Sequence, residues 1–190
     1  MSPGKRLRVG VWTDYIGSFG RSVLHGVTRF GLEKGTWQLF ASSLFMLNQT
    51  PEWTTVELDG LILQLNNPDW IPQIKAAGFP AVNISDVYDV PELPRVVVDS
   101  HAAGAMAAEH FLERGYKTFA FVGSDAVYAE KRFRGYAERL AKEGFACHRS
   151  DAVTGELVLR HAEKYDRLVQ WVAKLPKPIA IFAANDIHGL

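Results

Sequence analysis

The chain has 190 residues, 21 basic and 21 acidic side chains, a formal net charge of zero and 47% hydrophobic content. Such a composition excludes collagen, coiled coil and an intrinsically disordered chain, and it allows one ordinary domain or two small lobes with a real core. Zero net charge provides no strong basic field for nucleic acid or anionic lipid, while leaving open DNA binding by a segment outside the chain. The single Cys147 excludes an internal disulfide framework and a thiolate zinc cluster, and it fits a reducing cytosol. No apolar run approaches the ~20 residues of a membrane span. The opening MSPGKRLRVGVW enters a strand-like run at once, without the pattern of a secretory signal. A cytoplasmic location without membrane attachment is expected.

Taken in order, the elements alternate strand and helix. Leu7 to Thr13 reads as a buried strand. Phe19 to Lys34 reads as a helix with Phe19, Val23, Val27 and Phe30 on its inner face, stopped by Gly35. Trp37 to Ser42 is a second strand, and the polar stretch Leu47 to Glu57 has room for a short helix. Leu58 to Leu65 is a buried strand, followed by a short helix from Asn66 to Ala77, opened by Asn67-Pro68. Phe79 to Ile84 is the next strand; a loop rich in Asp and Pro leads to a short strand, Arg95 to Val98, ending at Asp99.

Ser100 to Arg114 reads as an Ala-rich helix with Ala103, Ala107 and Phe111 on one side, ended by Gly115. Thr118 to Val122 is a strand. Glu130 to Glu143 is a helix with Phe133, Ala137 and Leu140 inward, closed by Gly144. Phe145 to Val153 holds an irregular strand, Glu156 to Lys174 a helix with Tyr165, Leu168 and Val172 inward, and Pro178 to Ala183 the last strand. Apolar strands without polar alternation, separated by amphipathic helices, predict an α/β fold with parallel sheets covered on both faces. Ligands of such folds bind beyond the carboxyl ends of the strands. After the last strand, Asn185 to Leu190 looks like the opening of a helix, so either the domain continues beyond the chain or a short edge helix closes it.

The phosphate-loop, dinucleotide, nucleophile-elbow and zinc-helix signatures are missing. Six scattered histidines include no i, i+4 pair. Neither a catalytic constellation nor a cofactor or metal site is therefore expected. What remains is a set of polar and aromatic groups at strand ends. Tyr15 and Phe19 follow the first strand, where an aromatic face can stack on a sugar or a base; Phe19 reads equally well as an apolar staple at the start of the helix. Arg21 and Arg132 sit near helix starts, where the dipole disfavours a cation, so each serves a ligand or a solvated surface. The planar guanidinium of Arg132 suits vicinal hydroxyls or a carboxylate. Asn185-Asp186 follows a strand, where capping explains one of the pair and leaves the other for a ligand.

At these positions the sequence resembles a known family. Arg95-Val-Val-Val-Asp99, Gly104, Ala108, His110-Phe111-Leu112 and Gly115-Tyr116 look like the middle of the lactose-repressor and periplasmic sugar-binding superfamily. Phe119-Ala-Phe-Val-Gly123, then Arg132, Gly135 and Tyr136, continue the pattern. Pro178, Ala180-Ile181-Phe182, Ala184-Asn185-Asp186 and Gly189 match its closing motif. The resemblance covers nearly the whole chain. It implies a periplasmic-binding-protein-like type I fold: two Rossmann-like lobes, residues 1–98 and an incomplete 99–190, joined by crossovers, with a small ligand closing the cleft. Phe19-Gly-Arg21-Ser-Val23-Leu-His-Gly26-Val27 resembles the opening of the xylose-operon regulators, which carry the sensor first and an arabinose-regulator-type DNA-binding domain last.

The resemblance thus implies the sugar-sensing part of a bacterial transcriptional regulator, with a pentose such as xylose as effector. It further implies DNA contact through a domain beyond this chain, and a homodimer. Carried over by position, Arg132 is the sugar-hydroxyl arginine and Asn185 a sugar-binding amide. Tyr15 and Phe19 fall in the contact loop after the first strand, and Asp86 falls in the loop that often supplies a carboxylate. Asp99 is a hinge and cap. An exported solute-binding protein shares this fold and is the alternative.

Overall fold

A computed structural model describes residues 6–15, 17–43, 56–150 and 162–189. The chain divides into two compact units, Met1–Val97 and Val98–Leu190.

The first unit is built on a parallel four-stranded sheet in the order β2-β1-β3-β4. β1 (Leu7–Thr13) is central, paired with β2 (Trp37–Ser43) from Leu7↔Trp37 to Thr13↔Ser43 and with β3 (Gly60–Leu63) from Val9↔Gly60 to Trp12↔Leu63. β4 (Ala81–Asn83) flanks β3. The predicted strand over 95–98 is reduced to a single bridge, Asn83↔Arg95. Its backbone makes one rung, with Asn83 N–H donating to Pro94 and Val96 N–H to Asn83. It then leaves the sheet, and Val96 is 69% exposed. An apolar run alone does not make a strand when its face is not covered.

Trp12, Leu61, Leu63, Leu65, Ile74, Ala81, Val90 and Leu93 form the core of this unit. Gly10 makes room for Trp12: a Cβ there would lie 1.9 Å from the indole ring. Helix α1 (Ser18–Lys34) ends at Gly35, whose φ of 64° takes the left-handed conformation that glycine adopts without strain. Its inner face differs from the expected one. Gly20 and Gly31 are buried, Val23 and Val27 half-buried, while Phe19 and Phe30 are exposed. Close approach decides this. A Cβ on Gly20 would lie 1.7 Å from the Asp14 carbonyl oxygen, so the helix start touches the preceding loop at backbone distance. Phe30 instead packs against the Trp37 ring at 4.9 Å.

The predicted helix over 66–77 splits into a 3-10 turn, Pro68–Trp70, and α2 (Ile71–Ala76). Pro72 has no N–H to donate back to Pro68, and the Pro68 carbonyl takes the Ile71 N–H instead. Asn67 caps the turn by accepting from Asp69 N–H at 2.9 Å.

The second unit carries a parallel sheet in the order β6-β5-β7: Cys147–Ser150, Phe119–Val122 and Ala180–Ala183. β5 is central, and all four of its residues are buried. α3 (Ser100–Glu113) is capped by Asp99, whose carboxylate accepts from Ala102 N–H at 2.9 Å. α4 (Val127–Ala141) starts three residues before the expected position. α5 spans Ala162–Lys174, and α6 is one turn, Asp186–Gly189. Leu168 and Trp171 of α5 pack against Val122. The expected short helix within 47–57 and the expected helix start at 156–161 fall largely or wholly outside the described residues.

α3 buries Ser100, Gly104 and Ala108, one position on from the Ala103-Ala107 stripe. Again glycine sets the face. A Cβ on Gly104 would lie 2.0 Å from the Arg132 carbonyl oxygen, and one on Gly135 would lie 1.9 Å from that of His101. The two helices therefore cross with their backbones in contact. Beside this crossing, Tyr136 is fully buried; its ring lies 5.2 Å from Phe182 and 6.5 Å from Phe119. A His101–Glu138 hydrogen bond and a Glu109–Arg139 ion pair link the exposed flanks of the helix pair.

Candidate functional site

The polar strand ends of each unit can be followed residue by residue. In the second unit, β7 lies beside β5, so the residues after β7 meet the start of the helix that follows β5. Arg132 of α4 donates through Nη1 to the carbonyl of Ala184. Its guanidinium carbon stands 5.2 Å from the centre of the Tyr128 ring, one helical turn earlier. Asn185 donates through Nδ2 to the Tyr128 hydroxyl at 2.7 Å. Two residues selected from the sequence, Arg132 and Asn185, are thus brought together, and Tyr128 joins them.

Arg132 Nε is buried and has no hydrogen-bond partner among the described residues. A buried donor without a partner is costly, about 1–3 kcal/mol, so its presence calls for an explanation. The first turn of α4 begins after Ala126, without a side-chain cap.

Sequence reasoning missed Tyr128 because it started the helix at Glu130. With the start at Val127, Tyr128 and Arg132 fall at i, i+4 on one helical face, a signal the sequence contains.

In the first unit, Thr13 Oγ1 donates to Gln64 Oε1 at 2.9 Å, and Asp14 N–H reaches the same oxygen at 3.2 Å. Gln64 thereby straps the ends of β1 and β3. Tyr15 turns its hydroxyl back to the Val11 carbonyl at 3.3 Å, and burial raises its pKa above the usual value. Arg21 donates to the Tyr15 carbonyl at 3.3 Å. Phe19 is 46% exposed, which favours an available ring over a core staple.

Asp86 is placed differently from an open strand-end carboxylate. Its side chain is nearly buried and accepts from Arg95 Nη1 at 3.4 Å, while the same nitrogen holds Asp89 at 3.1 Å. Any ligand must share this carboxylate with Arg95. The loop itself is set by Asn83, whose amide oxygen accepts from Leu65 N–H and Ser85 N–H at 3.2 and 2.8 Å.

Three titratable side chains elsewhere in the second unit are also shifted by their surroundings. Burial pushes the Cys147 thiol up to about 12, so almost none is thiolate near neutrality. Burial likewise raises the Tyr136 hydroxyl. The Arg149 guanidinium, hydrogen-bonded to Glu130 at 2.8 Å, pulls that carboxyl below its usual range. No group of three His, Cys, Asp or Glu side chains suited to a metal ion occurs among the described residues. None of the described helices is long and apolar enough to cross a membrane.

Residues 108–190 match the family described as periplasmic binding protein-like domain. The chain is 22% identical over 180 residues to the xylose operon regulatory protein of Haemophilus influenzae, covering 90% of this chain and 46% of that protein. It is 22% identical over 187 residues to the HTH-type transcriptional repressor PurR of Aliivibrio fischeri, covering 94% of this chain and 56% of that one. The chain thus spans about half the length of the curated relatives it matches. Among solved structures it resembles the xylose-binding transcription activator xylR, with a TM-score of 0.75 and 21% identity over 95% of this chain and 47% of the other. The parallel sheets, their strand orders and these likenesses agree: the chain has the periplasmic-binding-protein-like type I α/β fold.

Proposed function

We propose that this chain is the effector-sensing part of a bacterial DNA-binding transcriptional regulator, and that its effector is a sugar, with a pentose such as xylose as first candidate. The observation that carries the reading is the Tyr128–Arg132–Asn185 cluster at the end of the β5–β7 pair, with Arg132 Nε buried and without a hydrogen-bond partner among the described residues. A guanidinium fork and a carboxamide are the donors and acceptors that vicinal hydroxyls need. In the proposed roles, Arg132 and Asn185 of the second unit bind hydroxyls; within the first unit, Tyr15 and Phe19 offer apolar ring faces and Asp86 a carboxylate shared with Arg95.

Similarity to a xylose operon regulatory protein, a transcriptional repressor and a xylose-binding transcription activator supports regulation as the setting and xylose as the first sugar to try. On this reading residues 1–98 and 99–190 are the two lobes of a sensor that binds its ligand without transforming it. DNA contact comes from a further domain of the arabinose-regulator type, in a cytoplasmic homodimer reading paired half-sites.

The test is the thermal melting of the full-length protein with a panel of pentoses and hexoses, D-xylose included. A ligand that binds only the native state stabilises it by about 2.7 kcal/mol at a hundredfold excess over Kd. One sugar is expected to raise the midpoint selectively. A midpoint unmoved by every sugar overturns the reading.

A further inference from the structure

We infer that Tyr128 is the positioning residue of the ligand site, holding Arg132 and Asn185 in one arrangement through two separable contacts. The inference rests on the sugar-site reading above. The ring of Tyr128 lies against the Arg132 guanidinium at 5.2 Å, and its hydroxyl accepts from the Asn185 amide at 2.7 Å. Arg132 comes from α4 and Asn185 from the residue before α6, two segments separated by |i−j| of 57 for the Tyr128–Asn185 pair. Tyr128 touches both.

The geometry also shows why the contacts assist binding rather than block it. Arg132 has five N–H donors, and one goes to the Ala184 carbonyl. Tyr128 meets the guanidinium through its ring face, which consumes none of the others. The hydroxyl takes one N–H of Asn185 and thereby fixes the orientation of that amide. A side chain held in place before the ligand arrives loses less rotamer freedom on binding.

The two contacts are separated by substitution. Tyr128→Phe keeps the ring against Arg132 and removes the hydroxyl. Tyr128→Ala removes both. A hydrogen bond of this kind is worth about 0.5–1.5 kcal/mol, and an exposed cation–π contact about 0.5–1 kcal/mol. Affinity should therefore fall by about two- to thirteenfold in Tyr128→Phe and by about five- to seventyfold in Tyr128→Ala.

The experiment is calorimetric titration of the full-length protein with D-xylose, or with whichever sugar of the panel shifts the melting midpoint. Wild type, Tyr128→Phe, Tyr128→Ala, Asn185→Ala and the Tyr128→Phe/Asn185→Ala double variant are compared, and ligand-free melting is recorded for each. The expected result is a graded loss of affinity, Phe before Ala, with the ligand-free midpoint of Tyr128→Phe lowered only by what one hydrogen bond contributes. In the Asn185→Ala background Tyr128→Phe should cost nothing further, because the hydroxyl acts through that amide. A purely structural tyrosine would not produce this non-additivity. Wild-type affinity in both Tyr128 variants overturns the inference and leaves the sugar site standing. Additive losses in the double variant overturn it as well. A wild-type protein that binds no sugar overturns the site reading and this inference together.

Discussion

Gly104→Val is expected to lower the melting midpoint of the second unit by roughly 10–20 °C, and Gly104→Ala is expected to destabilise it too. Two effects of opposite sign compete. Replacing a helical glycine with alanine favours the helix by about 0.5–1 kcal/mol. Against this, the new Cβ would lie 2.0 Å from the Arg132 carbonyl oxygen and 2.8 Å from the Tyr136 nitrogen. Both are backbone atoms, so relief requires the helices to separate. Overpacking of this kind costs about 1–3 kcal/mol and rises with size. Each kcal/mol moves the midpoint of a domain this small by about 4–8 °C.

Gly26 supplies the control. It lies in α1, and a Cβ there meets nothing within 4 Å, so Gly26→Ala should stabilise by about 0.5–1 kcal/mol. If Gly104→Ala behaves like Gly26→Ala in thermal unfolding of the full-length protein, the α3–α4 contact described here is wrong. Because the clash falls on Arg132, the proposed sugar contact, Gly104→Val should also weaken sugar binding.

Arg132→Ala is expected to weaken the ligand response strongly, with affinity falling by a factor of about ten to 150. A hydrogen bond from a charged group to an uncharged partner is worth about 1.5–3 kcal/mol. Arg132→Lys should lose at least about tenfold. A lysine keeps the charge but lacks the planar fork and the fit to the Tyr128 ring. The stability of the ligand-free protein should change far less, because loss of the hydrogen bond to Ala184 is offset by removal of the buried, unpaired Nε. Titration calorimetry of the two variants separates these effects. An Arg132→Ala protein that binds sugar like the wild type removes Arg132 from the site.

How far the sequence could be read depended on what each residue packs against. β1 matches its predicted span because Leu7 to Thr13 has one way to be buried, as the central strand of a parallel sheet. Helix existence was equally plain from apolar periodicity. The buried faces were not, because hydrophobicity drew attention to Phe19, Phe30 and Ala103, whereas close approach at Gly20, Gly104 and Gly135 sets the orientation. Nothing in a one-dimensional pattern distinguishes a glycine that touches a backbone from one facing solvent, such as Gly26.

The site was legible in the same uneven way. Arg132 and Asn185 stand out as polar groups after apolar strands, and the sheet order β6-β5-β7 explains why they meet. Tyr128 was hidden by a helix start placed three residues late. The pairing of Asp86 was hidden because Arg95, nine residues on, reads as part of a strand while its side chain turns back to the loop.

The most direct measurement is a crystal structure of the full-length protein with the sugar that raises its melting midpoint. The account predicts ligand hydroxyls within hydrogen-bond distance of the Arg132 guanidinium and the Asn185 amide, with Arg132 Nε newly paired and the Tyr128 hydroxyl still on Asn185. A sugar bound elsewhere, with Arg132 Nε still buried and unpartnered, would contradict it.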